Sequence, residues 1–260
     1  MRCGRGKIRK NGADRHGVPA PEFSRAAVIR GIVMGAFEGI RPEALFLLAQ
    51  NRFENSKAFY DAHKDQIRRE VLEPLYRLIG DVAPTALKIN PDIITDPKRM
   101  VCRVRRDTRF TKDKTLYREH IWFFLRHQKN ELPTPGFWFE ISPSMYNYGC
   151  ALLSQTPAFL AFWRKNLLAD RAGFLRAARP VLKADYELSG ERYRRPQVAD
   201  APAELRPWLD LKEIVVERCR EDIRALSDGP SITEEFTGAL QTLAPFYRYL
   251  LRLTQAYCAQ

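Results

Sequence analysis

The sequence predicts an α+β fold: a mainly antiparallel sheet packed by helices from both ends of the chain, in a single domain. Three observations predict it. Helical periods occupy the two ends of the chain and strand-like runs its middle, without the strict alternation of a doubly wound sheet. No internal repeat and no long linker interrupts residues 35–255. Of 260 residues, 45% are hydrophobic and 28% charged, which excludes a wholly disordered, collagen-like or low-complexity chain. The richest apolar stretch, 121–125, falls far short of the roughly 18–20 residues that cross a bilayer, so no membrane partner is expected.

The elements follow in order. Residues 42–50 read as a short helix. Asn55 or Ser56 caps a long one, in which Phe59, His63, Ile67, Val71, Leu75, Leu78 and Val82 recur every three or four positions. Pro74 should kink or divide it, and Pro84, Pro91 and Pro97 punctuate a connection to about residue 99. The period then falls to two. Over 100–106, Cys102 and Val104 share one face while Val101, Arg103 and Arg105 share the other, as in a strand. Residues 117–125, 137–142 and 148–153 read as further strands, rich in aromatic and β-branched side chains, the last two joined by a turn at 143–147. Thr156-Pro157 opens a helix with a capping Thr and a first-turn Pro, and a second helix runs from about 170 to 179. A returning strand spans 212–219. Ser231-Ile-Thr-Glu234 is read as a capping box opening a final helix, with Phe236, Leu240, Leu243, Tyr247, Leu250 and Leu251 inward and Pro245 bending it.

The net charge of +12 is concentrated in two places. The first 30 residues hold eight basic residues and two acids. Rich in Gly and Arg and lacking an apolar period, residues 1–33 are predicted to be a disordered basic extension, with the domain proper at 34–258. A nucleic-acid-binding tail, a transit peptide and an upstream extension without structural role all fit; the last is preferred, with Met34 an alternative start. The second concentration is 101–120, with seven basic residues and three acids. The five cysteines are scattered, odd in number and without a Cys-x-x-Cys pair, so neither a zinc knuckle nor a disulfide framework fits. Cys102 and Cys219 read as buried small hydrophobes, and a reducing cytoplasm is the expected compartment.

The segment Arg103-Val-Arg-Arg106-Asp107-Thr-Arg109-Phe110-Thr-Lys-Asp-Lys114-Thr-Leu-Tyr117 carries the functional signal. Arg106 falls on the apolar face of its strand and needs an acceptor, since an unpaired buried charge costs several kcal/mol; Asp107 is the nearest candidate. With Arg109, Lys112 and Lys114 in the same loop, the excess of cations suits a phosphate or carboxylate. Those cations lower the pKa of Asp107 by about one to three units, which makes it a poor base and assigns it to orienting arginines. Arg103, Arg106, Asp107 and Arg109 are thus expected to hold a small anionic or phosphorylated ligand. Lys114 and Tyr117 are the catalytic candidates, with His63 and His120 behind them.

Competing readings stay open. The cluster could be a structural salt-bridge network, in which case Arg106→Ala should cost several kcal/mol through an unpaired Asp107. The arm, the basic loop and nearby aromatics could instead form a nucleic-acid-binding module, although nine aromatics between Tyr117 and Tyr148 are more simply the core of a sheet. His63 reads as a satisfied, half-buried histidine and Glu140 as a solvated strand residue able to pair with an arginine. His120 and His127 face opposite sides of a strand without a third ligand, so no metal is expected. No Walker loop or RNP-type motif is present, and no cofactor is implied.

The same fifteen residues match, position for position, the Arg-x-x-Arg-Asp-x-Arg-Phe-x-x-x-Lys-x-x-Tyr signature of the bacterial and fungal proteins grouped as domain of unknown function 2461. The chain resembles that family from about 40 to 253, taking in Asn55-x-Lys57-x-Phe59, His63-Lys64, the hairpin between Gly136 and Gly149, and Leu211-Lys212. Phe59 stands where the family pattern has Trp. The resemblance implies a fold and a site at the motif, and brings no activity. Residues 1–38 fall outside it.

Overall fold

Helix α1 (Pro42–Glu54) has its proline in the first turn, where a missing N–H costs nothing. It runs past the expected end at residue 50, its buried face continuing to the polar Asn51, and it stops where Asn55 takes the left-handed conformation, φ 45°. Ser56 then caps α2 (Lys57–Ile67), its hydroxyl accepting the Phe59 N–H at 3.1 Å. A π-helical turn (Arg68–Leu72) leads without a break into α3 (Glu73–Ile89). That turn lies over the carbonyls that Pro74 has no N–H to bond, so the proline widens the helix instead of dividing it. Pro84 also lies within α3, not in a connection. It faces solvent while Val82, Ala83 and Ala86 carry the buried stripe onward.

The computed structural model describes residues 27–29, 32–127, 134–153 and 155–260. Most of the arm expected to be disordered lies outside the described residues. At its end β1 (Ala27–Ile29) and β2 (Ile32–Met34) pair antiparallel, a short ladder with four β-branched residues where no regular structure is expected. After the one-turn helix α4 (Pro97–Met100) come β3 (Ile121–Arg126), β4 (Gly136–Ile141) and β5 (Tyr146–Leu152). Helices α5 (Pro157–Ala169) and α6 (Arg171–Lys183) follow, the first capped by Thr156 as read, the second by Asp170 and running past the expected end near residue 179. Then come β6 (Glu187–Leu188), α7 (Arg206–Leu209), β7 (Ile214–Arg220) and the 30-residue α8 (Gly229–Cys258). The sheet order is β3-β4-β5-β7-β6, with every neighbour antiparallel. The chain is an α+β single domain.

The pairing register sorts side chains onto two faces. Phe123, Phe139, Tyr148, Cys150 and Val216 point into the core beneath α8. There Phe236 packs edge-on against three rings, and Tyr247 stacks on Phe137 at 4.6 Å. Trp122, Phe124, Trp138, Glu140, Gly149 and Glu217 belong to the opposite, open face.

Several expectations are corrected. Helix α8 starts two residues before Ser231, because the Asp228 carboxylate caps it and accepts the Ser231 N–H at 3.1 Å. Residues 101–106 are not a regular strand. They follow the edge of β3 through isolated bridges, Val101 with Phe123 and Arg105 with Tyr117, and the regular strand begins only at Ile121. Cys219, on the open face near the end of β7, is exposed, and Cys150 is the buried thiol. Among the described residues no helix is long and apolar enough to cross a membrane.

Candidate functional site

The signature loop leaves the edge of the sheet after Arg106 and returns at Leu116, where the Arg106 N–H meets the Leu116 carbonyl at 2.8 Å. As its face predicted, the Arg106 side chain is only 16% exposed. Its partners are Asp113 and the Thr115 hydroxyl, not Asp107. Neighbours in extended chain point to opposite sides, so Asp107 turns outward and is held by Arg109, with Nη2–Oδ2 2.7 Å and Nε–Oδ1 3.0 Å. The Arg109 side chain, helped by its backbone N–H, lowers the Asp107 pKa to about 2. The Thr115 N–H and the Arg106 guanidinium hold the Asp113 carboxyl further below the usual range. Lys114 Nζ donates to the Thr108 carbonyl at 2.9 Å. Arg103 is exposed and makes no hydrogen bond or ion pair among the described residues. Tyr117 is buried, its ring stacked on Tyr60 at 4.9 Å. The cations of the motif are therefore bonded internally or face water, and none of these six side chains lines the large cavity described below. The internal acceptors they find are Asp113, Thr115, Asp107 and the Thr108 carbonyl, and because Asp113 is half exposed, losing Arg106 leaves it free to hydrate.

Asn55 ties this loop to the helices. Its Oδ1 accepts the Leu116 N–H at 2.6 Å while its backbone sits at φ 45°. Asn55→Gly should lose about 1 kcal/mol with the hydrogen bond. Asn55→Ala should lose about 2 kcal/mol or more, because alanine also resists the left-handed conformation. Chemical denaturation of both variants checks that inverted order. His63 behaves as read: its ring stacks on Phe59 at 4.0 Å, with Nδ1 2.8 Å from the Phe59 carbonyl.

A cavity of about 630 Å³ opens on the other face of the sheet. Its lining includes Trp122, Phe124, Trp138, Glu140 and Glu217, with Arg99 and Arg126 at one end. Two glycines shape its floor. A Cβ on Gly136 would meet the Phe124 ring, and one on Gly149 would collide with the Val216 carbonyl oxygen. Phe124, Trp138, Gly149 and Glu217 form one row across four strands, so Gly149 leaves a hollow between Trp138 and Glu217.

Glu140 is only 24% exposed, with its Oε1 3.5 Å from His120 Nδ1. Burial raises its pKa, Glu217 raises it further, and Arg118 opposes. Burial lowers the His120 pKa, and Arg118 lowers it further. An isolated Glu–His pair would shift both the other way, so burial outweighs their attraction in both shifts. The Arg118 guanidinium lies 4.5 Å over the Trp122 ring. Three polar atoms in this region are buried without a hydrogen-bond partner among the described residues: Arg118 Nε, Trp138 Nε1 and Asn147 Oδ1. Glu140 is therefore not the solvated residue that alternation along its strand predicts. The available signal was that Trp122, Phe124 and Trp138 share the non-core face, a composition unlike that of a solvated sheet. Among the described residues no cluster of three or more His, Cys, Asp or Glu could hold a metal ion.

Fold and cavity together define a class: α+β proteins whose antiparallel sheet is covered by helices on one face and hollowed on the other. The family model described as conserved hypothetical protein (DUF2461) matches residues 43–249, most of the chain, and the chain belongs to that family. No curated protein and no solved structure matches it.

Proposed function

We propose that the chain binds a small organic ligand in the open-face cavity and that Glu140, with His120 at its carboxylate, is the proton-transfer group of a reaction there. The observation that carries this is a carboxylic acid, mostly buried among aromatic rings, with no lysine or arginine within ion-pair distance among the described residues. A concave, largely apolar site with a few convergent polar groups and a perturbed acid is the arrangement in which small-molecule chemistry takes place.

A fragment screen read through the Trp122 and Trp138 indole N–H signals in NMR tests it. Ligands should shift both signals, and Trp138→Ala should weaken them by about tenfold or more through the lost ring contact. With a turned-over substrate in hand, Glu140→Gln should lower the rate by about 10²–10⁴ while neutral fragments still bind. Fragments that bind elsewhere and leave both indoles unmoved would remove the proposal.

One observation favours a second reading, contact with a nucleic acid. Phe110 is 90% exposed in the basic loop, with the Arg109 guanidinium 5.5 Å from its ring centroid. Stacking of single-stranded bases on this ring would give affinity that falls steeply with salt and weakens in Phe110→Ala. Salt-independent binding, or none, retires that reading.

A further inference from the structure

The cavity is charged oppositely at its two ends. Arg126 lies four residues along β3 from Trp122, which places it about 13 Å along the sheet from the row that holds Trp122 and Glu140. Arg99, on α4 beside β3, joins Arg126 on the cavity lining. Both guanidinium groups are exposed, and neither makes a hydrogen bond or ion pair among the described residues. Towards the other end the Glu140 carboxylate meets only His120, and the Glu217 carboxylate makes no hydrogen bond or ion pair, among the described residues. The Arg118 guanidinium lies 4.5 Å over the Trp122 ring and forms no ion pair with either carboxylate among the described residues. Phe124 and Trp138 lie in the row between Arg126 and Glu140, and Glu217 ends that same row two strands beyond Trp138.

Resting on the cavity reading above, we infer that the ligand is a zwitterion. Its anionic group meets Arg99 and Arg126, its protonated amine meets Glu140 and Glu217, and a flat apolar body spans Phe124 and Trp138. A ligand charged at one end only would leave the other end unmatched. The ends do not contribute equally. Exposed guanidinium groups pair weakly in water, whereas a carboxylate among aromatic rings gains more from a cation, which also attracts the ring faces. The amine therefore sets affinity, and the anionic group sets orientation and length. The small anion expected at the signature loop is thereby moved to the Arg99–Arg126 end of the cavity, as one half of a larger ligand.

The test is titration calorimetry with 3-[4-(aminomethyl)phenyl]propanoate, using benzylamine and 3-phenylpropanoate as single-ended controls. The zwitterion should bind at least about tenfold more tightly than either control. Arg99→Ala combined with Arg126→Ala should erase its advantage over benzylamine. Glu217→Gln should reduce its advantage over 3-phenylpropanoate, with intrinsic tryptophan fluorescence confirming that each variant stays folded. Equal affinity for all three compounds overturns the inference. Failure of all three, while neutral fragments still shift the Trp138 indole, overturns the inference and leaves the cavity reading standing. Failure of every fragment to move that indole overturns both.

Discussion

Replacing Phe236 with alanine should cost about 3–5 kcal/mol, the usual loss for a fully buried ring. The residue is 0% exposed, and its ring meets Phe139 at 5.1 Å and both Phe123 and Tyr148 at 5.8 Å between centroids. Those partners belong to β3, β4 and β5, so one side chain docks α8 on three strands at once. Alanine would leave a void lined by stiff aromatic rings, which collapse poorly into a gap. For a domain of this size the melting temperature should fall by about 10 °C, as measured by calorimetry alongside urea denaturation. Phe236→Leu should lose distinctly less, since most of the volume is kept. A loss below about 1 kcal/mol in the alanine variant would contradict the packing of α8 on the sheet.

The neighbouring residue should matter nearly as much. The Glu235 carboxylate accepts the Tyr148 hydroxyl at 2.7 Å, the Tyr146 hydroxyl at 3.0 Å and Arg220 Nε at 2.9 Å. Glu235→Ala leaves two tyrosine hydroxyls and a guanidinium without their shared acceptor, at about 2–4 kcal/mol in total. A pH dependence follows. Burial pushes the Glu235 pKa up, but the Tyr148, Arg220 and Tyr146 donors outweigh it and hold the pKa below the ordinary 4.5. A depressed folded-state pKa stabilises above the unfolded-state value, and that contribution is lost as pH falls through the folded one. Wild type should therefore lose stability below about pH 4.5 more steeply than Glu235→Gln. At the alkaline end burial, with Glu235 adding to it, raises both tyrosine pKa values above 10. Their contribution is present below that value and lost above it as pH rises towards the folded-state pKa values. Parallel acid limbs in wild type and Glu235→Gln would show that this carboxylate is not paired as described.

Element order was legible because helix and strand periods are local. The stripe from Phe59 to Val82 and the alternation at 137–142 each needed only a few residues of context. The errors arose where a partner lies elsewhere. Arg106 was paired with its chain neighbour, yet alternation sends Asp107 to the other side, and the loop brings Asp113 back from seven residues away. Helix α8 was started at a plausible cap because Asp228, three residues earlier, competes for the same N–H. The cavity depends on register. Trp122, Phe124, Trp138 and Glu140 share a face by alternation alone, but Glu217 reaches their neighbourhood only through the pairing of β5 with β7. Nothing near residue 217 announces that pairing.

The Gly149 floor restricts how this protein can diversify. A side chain added there would push β7 away from β5 and occupy the hollow in the same step, so stability and vacancy depend on the same missing atom. On the cavity reading, relatives that accept guests of other sizes would have to change at more open positions such as Thr134 and Leu153, where a new side chain alters the lining without parting the strands.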